Sequence, residues 1–202
     1  AEAGAALDRL DRRAAALPEA ARGDAARVAA ARRTILAMID GHAADATAGT
    51  RTRIHGDYHL GQVLVVRNDF VITDFEGEPT RPLAERREKQ SPMKDVAGML
   101  RSFDYALHAT LLRLGDDGPD TRSLRRRLGA EWLGQTQRAF IEGYDGAAQV
   151  AGIPGAAAQR SGLLELFLIG KAIYELNYEL ENRPDWARIP LRGIIELLEA
   201  RA

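Results

Sequence analysis

Asp57, Gln62 and Asp74 are the residues of this chain whose types and order could do chemistry together. All offer oxygen. A carboxylate can take the proton of an attacking hydroxyl, and carboxylate and amide oxygens suit a hard divalent cation such as Mg2+. Phosphoryl transfer asks for that combination, because its demands are positioning and compensation of developing charge rather than covalent work by the protein. Asp57 is the candidate catalytic proton acceptor, and Gln62 and Asp74 are the candidate metal ligands. The His55-Gly56-Asp57 triplet alone would carry little weight; the ordered set, split by a hairpin pattern, carries much.

The hairpin must bring these groups together. Gln62–Arg67 and Phe70–Phe75 are rich in β-branched and aromatic residues, and Asn68-Asp69 between them suits a two-residue turn. Pairing Arg67 with Phe70 sets Val63 opposite Asp74 and leaves Gln62 at the same open end. Facing residues lie roughly 5 Å apart in such a ladder, within reach of one shared cation.

His55 and His59 flank Asp57 in a His-x-Asp-x-His pattern that a metallohydrolase could also use. Zinc or two-metal hydrolases need further ligands, and His42 and His108 lie in no recognisable ligand motif. The two histidines are therefore expected to brace the catalytic loop through side-chain to main-chain hydrogen bonds.

In protein kinases the same roles fall to a catalytic-loop Asp, an Asn five residues on, and an Asp after the next strand. Residues 53–78 resemble the catalytic core of the aminoglycoside-phosphotransferase-like kinases, with Gln62 where that family carries Asn. HGDYHLGQ, DFEGEP at Asp74–Pro79 and SPMKDVAGMLRSFDYA at Ser91–Ala106 resemble the maltokinases within it, above all those fused to trehalose synthase. The likeness is dense over 53–106 and resumes around 171–192. It implies ATP and Mg2+ as cofactors and maltose as the acceptor, phosphorylated at its anomeric hydroxyl. The fold it implies is mainly α with a small β-hairpin, the C-terminal lobe of a protein-kinase-like architecture. The N-terminal lobe is expected to be absent: no Gly-rich loop or alternating strand precedes Arg53, and the first lysine is Lys89. Residues 1–202 alone are then expected to be inactive.

The 202 residues suffice for a sizeable core, and the net charge of −1 gives no argument for nucleic acid or a membrane surface. Without cysteine, disulfide and thiolate scaffolds are excluded. No apolar run approaches ~20 residues, so a soluble cytoplasmic protein is expected.

Around the site the pattern is helical. Residues 1–52 read as leading helices at Leu7–Leu17 and Asp24–Ala46, with Asp24 as an N-cap and Thr47–Thr52 as a linker. Residues 53–78 hold the catalytic loop and hairpin, and Glu76–Gln90 reads as a loop. Residues 91–202 read as a helical acceptor-binding subdomain: Met93–Leu114 begun by Ser91-Pro92, then Ser123–Gly143, Arg160–Leu180 and Leu191–Glu199, with a connection at Tyr144–Gln159. Asp95 sits in a first helical turn, where the helix dipole favours a carboxylate, and a hydrogen bond from it could brace the catalytic loop. Arg101 and Asp104 read as a surface ion pair, and Glu76 and Glu78 carry no assigned role.

On Leu163–Asn182, Leu166, Ile169, Ile173, Leu176 and Leu180 form an apolar stripe. Lys171, Tyr174, Glu175 and Tyr178 share the opposite face. Aromatic rings stack on sugar faces while Lys and Glu bond hydroxyls, but an ordinary ion pair between packed tyrosines has the same spacing. The maltokinase likeness places sugar contacts here. Two other functions compete: a related kinase for an aminoglycoside, glucosamine or choline-like acceptor, and a non-catalytic sugar-binding module attached to trehalose synthase.

Overall fold

The computed structural model describes residues 2–43, 50–79, 81–115, 118–152 and 160–201. In chain order these hold α1 (Glu2–Arg13), α2 (Glu19–Ala30), α3 (Arg32–Ala43), β1 (Val63–Val66), β2 (Asp69–Ile72), α4 (Leu83–Arg87), α5 (Met93–Arg113), α6 (Pro119–Val150), α7 (Arg160–Asn182) and α8 (Arg188–Glu199). They form two compact units, residues 1–44 with 165–202, and residues 45–164. The leading helices thus share a unit with the last two helices rather than with the hairpin they precede.

The first unit is an all-helical core. Leu7 and Leu10 of α1, Ala21, Ala25 and Val28 of α2 and Ile35 of α3 are buried with Ile169, Ile173, Leu176 and Leu180 of α7 and Leu191 and Ile194 of α8. The i, i+4, i+7 spacing of 21, 25 and 28 gives α2 one narrow face of small side chains, and α2 packs against α8. Each fully buried leucine or isoleucine contributes about 1.5–3 kcal/mol. Asp24 is not a cap: α2 starts at Glu19 behind the extended Pro18 and runs through Gly23 and Asp24.

The second unit carries the hairpin. β1 and β2 pair antiparallel as Val63↔Ile72, Leu64↔Val71, Val65↔Phe70 and Val66↔Asp69. The turn is therefore Arg67-Asn68, one residue earlier than expected, with φ of 49° and 64°. Positive φ at both central positions is the two-residue turn whose twist matches the strands, and Asn68 takes its second place. Val63 does not face Asp74. Gln62 faces Thr73 instead, whose N–H donates to the Gln62 carbonyl at 2.9 Å.

α5 opens at Met93 as expected, with Pro92 rather than Ser91 in the N-cap position and Ser91 Oγ accepting the Met93 N–H. α6 continues to Val150, through Gly143 and Gly146, where a connection was expected; residues 153–159 lie outside the described residues, as do 44–49. Phe103 and Phe140 join α5 to α6 edge to face at 5.8 Å. Among the described residues no helix is long and apolar enough to cross a membrane.

Candidate active site

The site is assembled on one face of α5. Asp95, Gly98 and Ser102 recur at i, i+3 and i+7, and each meets the loop that carries Asp57. The Asp95 carboxylate accepts the main-chain N–H of His55 at 2.7 Å and of Gly56 at 2.9 Å. Gly98 lies under Tyr58: a Cβ there would stand 2.6 Å from the Tyr58 carbonyl oxygen. Ser102 Oγ accepts the Leu60 N–H at 2.9 Å. Burial pushes the Asp95 carboxyl above its ordinary range, although the N–H groups of Gly56 and His55 pull the other way. Burial likewise raises the Tyr58 phenol, with the charge of Asp95 adding to it.

His55 ties that loop to the hairpin. Its Nδ1 accepts the Asp57 N–H at 3.3 Å, so the ring proton lies on Nε2, which donates to the Thr73 carbonyl at 2.7 Å. The ring is buried between Tyr58 and Phe75, at centroid distances of 5.5 and 4.8 Å. One imidazole thereby links the residue before the strand turn at Asp74 to the backbone of Asp57.

Gln62 and Asp74 meet as side chains. Gln62 Nε2 donates to Asp74 Oδ2 at 2.9 Å, across the open end of the hairpin. Asp74 has φ of 63°, left-handed backbone that costs a non-glycine residue on the order of 1 kcal/mol and turns it out of the strand. Behind it, Gly56 at φ 87° lies so close that a Cβ would stand 3.1 Å from the Gly77 Cα. Asp57 is largely buried, and His59 Nε2 lies 3.8 Å from its Oδ2. Asp57, Gln62, Asp74, His55 and His59 therefore lie in one compact unit, and the Asp57, Gln62 and Asp74 side chains carry oxygens of the type that hard divalent cations take.

The α7 residues belong to the other unit. Ile169, Ile173, Leu176 and Leu180 of its apolar stripe are in the core, Leu166 is half-buried, and Lys171, Tyr174, Glu175 and Tyr178 lie on the opposite face. Lys171 Nζ sits 4.9 Å from the Tyr174 ring centroid. Arg183 lies over the rings of Tyr178 and Trp186, at 5.6 and 4.9 Å, and its guanidinium makes two bonds to the fully buried Glu179. Sequence reading passed over Glu179, Arg183 and Trp186; the i, i+4 Glu–Arg spacing was the available signal. Arg101 and Asp104, expected at the surface, are buried, and Asp104 also faces His108 Nε2 at 3.3 Å. Burial pushes Asp104 up, but His108 and Arg101 outweigh it and hold the carboxyl below its ordinary range.

Comparison with known proteins bears on the acceptor side. The chain is similar to glucosamine kinases. It is 28% identical over 158 residues to the glucosamine kinase of Streptacidiphilus jiangxiensis, covering 78% of this chain and 34% of that protein. It is 50% identical over 52 residues to the glucosamine kinase of Mycolicibacterium smegmatis, 25% of this chain and 13% of that one. A glucosamine kinase crystal structure superposes with a TM-score of 0.77 at 25% identity, covering 99% of this chain and 45% of that chain. A glucosamine kinase in complex with glucosamine, ADP and inorganic phosphate superposes with a TM-score of 0.73 at 23% identity, covering 98% and 47%. The chain thus covers less than half the length of each of these relatives, from 13% to 47%. No family model matches it.

Two expectations are corrected. The likeness is to glucosamine kinases and not to maltokinases. The motifs behind the maltokinase expectation consist of residue types suited to cation and proton, and such residues say little about the sugar. The chain takes the architecture of part of a glucosamine kinase, not of the expected protein-kinase-like C-terminal lobe. A hairpin beside helices is too general a pattern to settle topology, and the grouping of α1–α3 with α7 and α8 was not visible in it.

Proposed function

We propose that this chain carries the proton-accepting and cation-holding residues of an ATP-dependent sugar kinase whose acceptor is glucosamine. The observation that carries the reading is the Gln62–Asp74 contact at 2.9 Å, beside an Asp57 loop pinned at both ends by α5, in a chain similar to glucosamine kinases. Asp57 takes the proton of the acceptor hydroxyl. The freed oxygen forms a bond to the γ-phosphorus as the bond to the bridging oxygen of ADP breaks. Gln62 and Asp74 would hold Mg2+ by the amide oxygen and the carboxylate, and the bound cation offsets charge on the phosphates. Gln62 presents its amide nitrogen to Asp74, so a half-turn of the amide would bring its oxygen to a cation there.

For the acceptor we keep Lys171, Tyr174, Glu175 and Tyr178 as the proposed binding groups, with Glu175 suited to the ammonium of an amino sugar. The intact protein should release ADP from ATP and Mg2+ with glucosamine, and far less with glucose, maltose, an aminoglycoside or choline. A preference for maltose, or no turnover with any sugar, would overturn the reading.

A further inference from the structure

Among the described residues, α6 leaves one whole side uncovered. Its inner side is fixed by α5. A Cβ on Gly129 would stand 2.5 Å from Leu107 Cδ1, Gln137 Nε2 donates to the Leu100 carbonyl at 3.5 Å, and Phe140 meets Phe103 edge to face. Leu124, Leu128 and Trp132 recur at i, i+4 and i+8 on the other side of the helix, exposed by 45%, 52% and 45%. Single exposed apolar side chains are ordinary. A continuous ridge of three, ending in a tryptophan, is a surface that fits against the ridges of another helix.

The charges beside that ridge decide which helix. Asp120, Arg127, Glu131 and Arg138 line one of its edges, and all four are exposed. Asp120 and Arg138 stand nine positions either side of residue 129, and Arg127 and Glu131 stand two positions either side. The signs are therefore opposite about one point. In an antiparallel pair of identical helices the same edge of each faces the other, so every acidic residue of this set meets a basic one. A lipid surface would instead favour basic residues throughout, and two of these four are acidic.

We propose that α6 is a self-association surface on which two copies of this chain pair antiparallel, the Leu124–Leu128–Trp132 ridge of one against that of the other. Leu128 packs near the two-fold axis, and Leu124 falls beside Trp132 of the second copy. Three apolar side chains from each copy are fewer than a permanent dimer buries, so the association is reversible, with dissociation in roughly the micromolar range. The pairing uses no residue of the proposed phosphoryl-transfer site.

Sedimentation of the intact protein over a concentration series should show a monomer–dimer equilibrium that weakens with added salt. Leu128→Glu should raise the dissociation constant at least about a hundredfold, since each copy loses a covered leucine and gains a charge facing its counterpart. Its melting temperature in dilute solution should not change, because the side chain is exposed within one copy. Arg127→Glu and Glu131→Arg should each weaken self-association several-fold by setting like charges together. Mixed, these two variants should form a heterodimer tighter than either homodimer, and both exchanges in one chain should restore the original affinity. A wild type that stays monomeric throughout the series overturns the proposal, whether or not it binds anionic vesicles. So does a dimer indifferent to Leu128→Glu, or a Leu128→Glu protein that melts early, which would place another segment of the same protein on this face. Charge variants that fail to complement each other in the mixture overturn the antiparallel pairing.

Discussion

Gly98 of α5 stands beneath the carbonyl of Tyr58 at a distance that leaves no room for a methyl group, since a Cβ there would be 2.6 Å from the oxygen. A helix and a loop forty residues apart in sequence are thereby in backbone contact one residue from Asp57. Asp95, one turn earlier, and Ser102, one turn later, secure the same loop with hydrogen bonds. The stiffness of the proposed proton acceptor thus comes from a helix that carries none of the reacting groups.

Gly98→Ala should therefore act as an overpacking substitution and not as a gain in helix propensity. Propensity favours alanine by roughly 1 kcal/mol, while forced displacement of a packed backbone costs typically 1–3 kcal/mol. We expect lower stability to urea with helix content retained, and a kcat loss that exceeds any change in KM. A stabilised variant of unchanged kcat would show that the loop does not depend on this contact.

Asp95 and Asp104 should respond to pH in opposite senses. The Asp95 carboxyl is raised by burial, so its folded-state contribution is present below the ordinary carboxylate value of about 4 and is lost as pH rises through its folded value. Asp104 is held low, so its contribution is present above that ordinary value and is lost as pH falls through its folded one. The melting-temperature deficit of Asp104→Asn should grow from pH 3 to pH 7, whereas that of Asp95→Asn should shrink. Parallel deficits would contradict the assigned causes.

The proposed catalytic set divides in the same way. In the intact protein, Asp57→Asn should leave nucleotide affinity in place and lower kcat by roughly 10²–10⁴, the usual effect of losing a general base. Asp74→Asn should chiefly raise the Mg2+ requirement, because it replaces a charged carboxylate ligand with a neutral amide. Steady-state rates across a Mg2+ titration separate the two. Unchanged kinetics in both variants would remove this hairpin from the chemistry.

The legible part of this molecule was the part written in short-range residue types. The hairpin, Asp57, Gln62 and Asp74 could be placed because strand composition and oxygen donors fall together between residues 57 and 75. The register slipped because Asn68 can occupy either place of a two-residue turn, and Arg67 gives no sign that it adopts positive φ. Asp95 could be placed as a helix-dipole residue with a hydrogen bond to the catalytic loop, but its partners, His55 and Gly56, were not legible because they are about forty positions away. α6 was cut short at Gly143, since local propensity penalises glycine and packing along a long helix does not appear in it. The likeness was assigned to the wrong group of kinases for a chemical reason: residue types suited to cation and proton do not encode a sugar.

The last prediction concerns the sugar. The face of α7 that bears Lys171, Tyr174, Glu175 and Tyr178 already satisfies part of itself, through Lys171 over Tyr174 and Arg183 over Tyr178. If these groups bind the acceptor, Tyr178→Ala and Glu175→Ala should raise KM for glucosamine while leaving that for ATP nearly unchanged. Loss of a stacked ring or a hydrogen bond to sugar corresponds to about 1–3 kcal/mol, roughly ten- to a hundredfold in affinity. If the face is structural, Tyr178→Ala frees the Arg183 guanidinium on one side, and its effect should appear as a lower melting temperature. Trp186→Ala is the control, because it removes the other ring over Arg183 and is not itself one of the four proposed contacts. A matching fall in melting temperature for Tyr178→Ala and Trp186→Ala, with glucosamine KM unmoved in both, would assign this face to the packing of Arg183 against buried Glu179 and not to substrate.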